Sequence, residues 1–480
     1  MTNILLIMSD QHRFDCVGAN GPAQVRTPHL DGLAASGANY TSAYTPNPLC
    51  TPARNSLMFG EWSFQHHVIA NPDTEAPRGP DTDATPFSRL LADAGWSLGY
   101  VGKWHVSNER SPLDAQFGFE DYVAESEYGP WRRCTVGVPE AKDPAPNLFE
   151  TQTSEKNRPT AAGILKRFGG RTDEIAPEQS RLAWGADHTI RLLDDYAARE
   201  QPFCLMWCPS EPHLPNNVPE PYASMYPPAS IPPWPGFDDP LIGKPYIQAQ
   251  QRRSWAVEDW TWENWAPVVG RYLGEISLLD DQIGRVLTAL DASGAADDTI
   301  VVYTTDHGDM CGAHGMWDKH FVMYDDVVHV PLIVRWPGRI PPGTSCDGFV
   351  SHAIDLAATI VEAAGVPRPK PFAGTSLPRT LREPDGRQDI MSAYHGNQFG
   401  LYSQRMIRDR RWKYVWNLTA EDELYNLEQD PGEITNLAAD PTVAAERRRL
   451  QLRLLEWLED TDDPLSRWAA PVQLGEDRTR

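Results

Sequence analysis

Several polar residues in this chain stand just past short apolar runs. Asp10 follows residues 4–8, Lys103 and His105 follow 98–101, His213 follows 203–207, and Asp306 and His307 follow 300–303. In an open α/β sheet the carboxyl edge of the strands is where ligands bind, so residues distant in sequence converge there. Taken singly, each has an ordinary reading. Asp10 is a turn residue, Lys103 and His105 are solvated loop residues, His213 is a cap or core histidine, and Asp306 is an Asx-turn former. Repetition at the same edge favours a shared site. Asp10, Asp306 and His307 offer two hard oxygens and an imidazole, which suits one divalent cation such as Ca2+, Mn2+ or Mg2+ better than a thiolate-rich zinc site. This set lacks a fourth ligand.

The stretch LCTPARNSLMFG, residues 49–60, adds a cysteine at a helix start. Thr51 has N-cap character and Pro52 has first-turn character for a helix running to about Phe59, which sets Cys50 beside free backbone amides that favour an anion. Arg54, one turn in, can reach back with a fork of donors. From these residues alone Cys50 is either a nucleophilic thiol of lowered pKa or a buried cap cysteine.

These side chains need a scaffold, and the hydrophobic pattern supplies one. Residues 3–8 form a continuous apolar strand, and 28–36 form a helix with Thr27 as N-cap and Gly37 as terminator. The pattern recurs with a helix over 87–94, strands over 98–101, 203–207 and 300–303, and a long amphipathic helix over about 267–290. Alternating helices and fully apolar strands predict a mostly parallel sheet covered on both faces. Residues 211–259 are rich in Pro and Trp, which predicts a long ordered loop without regular helix or central strand. Trp255, Trp260, Trp262 and Trp265 within and beside it read as core or interface in preference to a stacking wall for a leaving group. After Pro378, alternating segments (DIMSAYHG, YSQRMIRD, WKYVWN) and a helix over 442–459 predict a small α+β subdomain with an antiparallel sheet. The expected division is a catalytic domain over 1–378 and a C-terminal subdomain over 379–480.

Bulk properties narrow the partners. The 480-residue chain can bury a large core without disulfides, and its net charge of -23 argues against nucleic acid or an anionic membrane as partner. A local cluster of cations can still bind an anionic substrate. The first apolar run is too short for a secretory core or a spanning helix, and seven cysteines form no dense framework, so a cytoplasmic protein is expected.

Cys-Thr-Pro-Ala-Arg, 50–54, resembles the C-x-P-x-R signature of the type I sulfatases, formylglycine-dependent members of the alkaline phosphatase superfamily. Other segments resemble that family in the same order. They are the first strand with Asp10, the helix TPHLDGLAASG, GKWH at 102–105, PSEPHLP around His213, TTDHGDM with Asp306 and His307, WDKHFVMYDDVVHVPLIV with Lys319, and ELYNLEQDPGEITNL at 423–437. The resemblance covers nearly the whole chain and implies an alkaline phosphatase-like fold.

It further implies hydrolysis of a small-molecule sulfate ester by a hydrated formylglycine at position 50, formed from Cys50 by a formylglycine-generating enzyme. Asp10, Cys50, Asp306 and His307 would hold the metal, with Ca2+ expected and Mn2+ the alternative, while Arg54, Lys103 and Lys319 would neutralise charge. His105 corresponds to the group taking the diol proton, and His213 with Lys319 to the group protonating the leaving alcohol. Gln11 and Asn71 are candidate substrate contacts, Asn71 being equally readable as a turn residue; His395 and Asn397 are candidates to reach the pocket. Gln11 after Asp10, and His307 after Asp306, resemble the branch of choline sulfatases and phosphonate monoester hydrolases, which keeps a phosphonate or phosphate ester hydrolase as the alternative and leaves a homo-oligomer open. Met58-Phe59, where the family usually has Leu-Thr, departs from the pattern near the modified cysteine.

Overall fold

The strand Asn3–Ser9 is apolar at every position from Ile4 to Met8 because both of its faces are covered. Ile4, Leu6 and Met8 enter one core, while Leu5 and Ile7 enter the core on the opposite face, as the two-residue period of a strand requires. The computed structural model describes all residues except 1, 22–23, 72–79, 81–83, 139–162, 164, 166–167, 397–401, 468 and 476–480. Its main sheet has eight strands in the order Thr344–Cys346, Ala38–Tyr40, Leu332–Arg335, Thr299–Thr305, Asn3–Ser9, Phe203–Cys208, Ser97–Gly102 and Asp121–Ala124. Every neighbouring pair is parallel except the two involving Leu332–Arg335.

Helices Pro28–Ser36, Arg181–Ala197 and Trp262–Ala292 contribute to the core on one face, and Cys50–Phe59, Phe87–Asp93 and His352–Ala363 to the core on the other. The expected cap of Pro28–Ser36 is replaced: Thr27 makes no side-chain cap bond, and Asp280 accepts from the amides of His29 (3.0 Å) and Leu30 (2.8 Å). Trp262–Ala292 starts earlier than the sequence predicts. Thr261 is its N-cap, with Asn264 Oδ1 accepting the Thr261 amide at 2.9 Å, and Pro267 lies inside the early turns. The Pro-rich stretch is also more regular than expected, because the proline-free segment Tyr246–Ser254 is helical.

The C-terminal segments form an antiparallel sheet in the order Ile390–Gly396, Tyr402–Arg408, Trp412–Asn417, Glu423–Asn426, packed by the helix Ala444–Asp460. Lys413 Nζ reaches Asp325 Oδ1 (2.5 Å) and Glu433 Oε1 (2.7 Å), and Arg408 reaches Asp325 Oδ2 (2.7 Å), fastening this sheet to the segment after Lys319. Trp255 and Trp265 are buried with Trp317, and Trp260 and Trp262 pack against them; the tryptophans are core. Among the described residues no helix is long and apolar enough to cross a membrane.

Candidate active site

Strand ends bring the polar residues together. Asp10 leaves the central strand, Asp306 and His307 leave the strand beside it, and Gln11 has φ 68° at the turn. Lys103 follows Gly102, whose φ is 102° and where a Cβ would meet the Cys208 carbonyl oxygen at 2.3 Å. Glycine at 102 therefore lets the chain pass close to the neighbouring strand and turn Lys103 over the sheet edge.

Cys50 is the first residue of the helix Cys50–Phe59, with Leu49 as N-cap, so the helix begins two residues earlier than Thr51 and Pro52 suggest. Its amides are largely committed. Thr51 donates to Asn71 Oδ1 (3.1 Å), Ala53 donates to the Leu49 carbonyl (3.0 Å), and Pro52 has no N–H. Positive charge at the site consequently comes from side chains more than from the helix end, and Asn71 serves the helix start. Met58 and Phe59 are both buried, with Phe59 edge-on to Phe117.

Among the described residues, Asp10, Cys50, Asp306 and His307 each place one potential ligand atom within 4.8 Å of the others, and all four are buried. Cys50 Sγ is 3.2 Å from His307 Nε2 and 3.7 Å from Asp10 Oδ1. Arg54 bridges the carboxylates, with Nη2 3.2 Å from Asp10 Oδ2 and 2.9 Å from Asp306 Oδ2. Lys103 Nζ approaches Asp10 Oδ2 at 2.5 Å. Two buried carboxylates, an imidazole and the position-50 side chain fit one hard divalent cation.

Burial works against charge on Asp10, yet Lys103, His213 and Arg54 hold its carboxyl below the usual range. Burial and the charge of Asp10 push Asp306 up. Burial disfavours the Cys50 thiolate, but Lys103, Lys319 and His307 outweigh it and hold the thiol well below its ordinary value. His307 is pushed up to about 9, burial being outweighed by Asp306 and Cys50. The site thus gathers Arg54, Lys103, Lys319 and His307 around its acidic groups within a strongly acidic protein. His105, at φ 46°, lies against the Cys50 thiol and helps lower it.

Opposite Cys50, His213 Nδ1 is 2.7 Å from the Leu214 carbonyl and must donate to it, leaving the Nε2 lone pair to accept from Lys319 Nζ at 2.9 Å. Gln11 is drawn away from a substrate role: its Oε1 accepts from Lys319 (2.9 Å) and its Nε2 donates to Asp309 Oδ2 (2.8 Å). Asp309 lies in the TTDHGDM motif, and only its contact with Gln11 reveals a role. Tyr394 in the C-terminal sheet stands 3.4 Å from His320 Nδ1, beside Lys319. His395 instead bonds Ser403 and Arg405 within that sheet, and Asn397 lies outside the described residues.

Comparison with known proteins agrees with this geometry. The Sulfatase family model matches residues 2–366, and a model described as N-sulphoglucosamine sulphohydrolase, C-terminal, matches 312–460. An uncharacterised sulfatase of Escherichia coli K12, YidJ, is 30% identical over 96% of this chain and 88% of its own length. An arylsulfatase of Clostridium perfringens is 28% identical over 91% of this chain and 90% of its own. The crystal structure of a phosphonate monoester hydrolase of Agrobacterium radiobacter superposes with TM-score 0.79 at 27% identity, over 96% of both chains. The match over most of the chain, with strand-end carboxylates converging on a C-x-P-x-R cysteine, shows that the chain belongs to the sulfatase family, sulfuric ester hydrolases of the alkaline phosphatase superfamily.

Proposed function

We propose that the enzyme hydrolyses a small-molecule sulfate monoester with formylglycine at position 50, made from Cys50 by a formylglycine-generating enzyme. The observation that carries this reading is the meeting of Cys50 with His307 and Asp10 under Arg54, Lys103 and Lys319. Asp10, Asp306, His307 and the position-50 side chain would hold Ca2+, with Mn2+ the alternative. The bound cation would supply Lewis acidity toward the diol and the sulfate oxygens.

In this reading one hydroxyl of the hydrated aldehyde, its proton already lost to solvent, attacks sulfur as the alkoxide, and the bond from sulfur to the leaving oxygen breaks. The His213–Lys319 pair gives that oxygen a proton. His105 then takes the proton of the second hydroxyl, the carbonyl reforms, and the bond from carbon to the sulfate oxygen breaks, releasing sulfate. Arg54, Lys103 and Lys319 offset the charge that develops. The test is mass spectrometry of the peptide over Cys50, followed by a sulfate-ester panel including aryl sulfates on the converted, metal-loaded protein. Turnover with aldehyde present is expected; no sulfate release from any ester would overturn the reading.

A second reading, a phosphonate or phosphate ester hydrolase, is supported by the likeness to the Agrobacterium hydrolase and by the Asp10-Gln11 and Asp306-His307 pairs. It requires a higher kcat/KM on phenyl phosphonate esters than on every sulfate. A division near residue 378, a homo-oligomer and a cytoplasmic setting complete the proposal, the last supported by seven free cysteines.

A further inference from the structure

His213 sits in the turn between Ser210 and Asn217, and among the described residues its ring hydrogen-bonds outside that turn to Lys319, with Asp10 and Asp318 nearby. Its aim therefore depends on how the turn is held. The near end is tied to the metal-side strand, where the Asp10 amide donates to the Glu211 carbonyl at 3.3 Å. Arg181 Nε donates to Glu211 Oε1 at 2.8 Å and also pairs with Glu125, which accepts from Ser210 Oγ at 2.6 Å. The His213 amide donates to the Ser210 carbonyl at 2.9 Å.

The far end is held by a buried side chain and by the parallel pairing of Asn217–Pro219 with Arg171–Asp173. Asn216 Nδ2 donates to the Pro212 carbonyl at 2.9 Å and to Glu275 Oε2 at 2.6 Å, while its backbone carbonyl accepts from Arg171 at 3.2 Å. The Pro212 contact closes the turn around His213, and the Glu275 contact couples that turn to the helix Trp262–Ala292, which packs along the sheet. Asn216 and Glu275 are both buried. Burial, reinforced by neighbouring Glu211, pushes the Glu275 carboxyl well above the ordinary range, so glutamine is a close mimic of its protonated form.

We propose that Asn216 and Glu275 are positioning residues that hold His213 against Lys319, so that their loss falls selectively on substrates whose leaving oxygen must be protonated. This rests on the assignment of the His213–Lys319 pair as proton donor made above. A displacement of about 1 Å in a catalytic group costs up to about 100-fold, and a general acid contributes about 100-fold or more, whereas a good leaving group departs with little help.

The test uses full-length, metal-loaded protein with converted Cys50 and a series of aryl sulfates from para-nitrophenyl to unsubstituted phenyl. Asn216→Ala and Glu275→Ala should lower kcat/KM on phenyl sulfate by about 10- to 100-fold and on para-nitrophenyl sulfate by about threefold or less, steepening the dependence on leaving-group acidity as His213→Ala does. Glu275→Gln should keep the unsubstituted enzyme's slope. A uniform fall across the series, or an unchanged slope, overturns the proposal. If His213→Ala steepens the slope and the Asn216 and Glu275 variants do not, only the clamp falls; if His213→Ala leaves the slope unchanged, the proton-donor assignment falls and takes the clamp with it. Asn216→Ser is the milder second variant, and if none of these variants folds, the pair is a folding element and the positioning role is refuted.

Discussion

Cys50 Sγ lies 3.2 Å from His307 Nε2, so the side chain that would be oxidised and a side chain that would hold the cation share one contact. In the proposed reading, replacing Cys50 would remove both the nucleophile and one cation contact. Cys50→Ala is expected to lower sulfate release by about 1,000-fold or more while circular dichroism shows an unchanged fold. Activity within tenfold of the unsubstituted enzyme would rule out position 50 as the nucleophile.

Arg54 neutralises two buried carboxylates at once, and no other arginine pairs with Asp10 or Asp306 among the described residues. In cation-free protein, Arg54→Ala should cost about 3 kcal/mol in urea unfolding, because Asp10 and Asp306 are left facing each other in a buried site. A divalent cation should restore part of that loss by binding the folded form. An unchanged midpoint with and without cation would show that the two carboxylates are not electrostatically opposed.

With no cation bound, His307 is held at about 9, because Asp306 and Cys50 outweigh the burial that opposes its charge. The ring must lose its proton to donate to a cation, so binding releases a proton below that pH and weakens as pH falls. Titration calorimetry of chelator-treated protein in buffers of different ionisation enthalpy should report that release. Affinity independent of pH between 6 and 9, on the order of one constant throughout, would remove His307 from the ligand set. Chelation itself should abolish turnover, with Ca2+ or Mn2+ restoring it.

Asp280 offers a pH effect on stability away from the site. Burial pushes its carboxyl up to about 7 from 3.8, although the His29 and Leu30 amides favour its charged form. The folded value exceeds the unfolded one, so the folded chain holds the extra proton between about pH 4 and 7 and loses stability as pH rises through that window. Asp280→Asn should flatten this loss, a difference of about 4 kcal/mol at most, at the expense of one cap bond. Parallel pH–stability curves for the two proteins would contradict it.

The gathering at one sheet edge was legible because each polar residue follows an apolar run: Asp10, Lys103, His213, Asp306 and His307 could be placed at that edge without any contact information. Caps and partners were not legible. Thr27 has every local feature of a cap, yet Asp280, 253 positions away from it in sequence, performs the role. Gln11 reads as a substrate contact until Lys319 and Asp309 are seen on either side of its carboxamide. Asn216 and Glu275 carry no motif, and their pairing depends on a turn packing against a helix some 59 residues away. Pro267 misplaced the helix start because a proline early in a helix resembles a proline at its beginning.

Cys50 is 1% exposed once the chain is folded, with Arg54 buried beneath the carboxylates one turn further on. An oxidising enzyme needs the segment around the cysteine drawn out and accessible, so we expect folded thiol-form protein to gain no aldehyde on incubation with that enzyme, while the unfolded chain does. Under the proposed conversion, maturation would have a deadline set by folding speed, and the thiol left in a finished preparation would count the molecules in which closure came first.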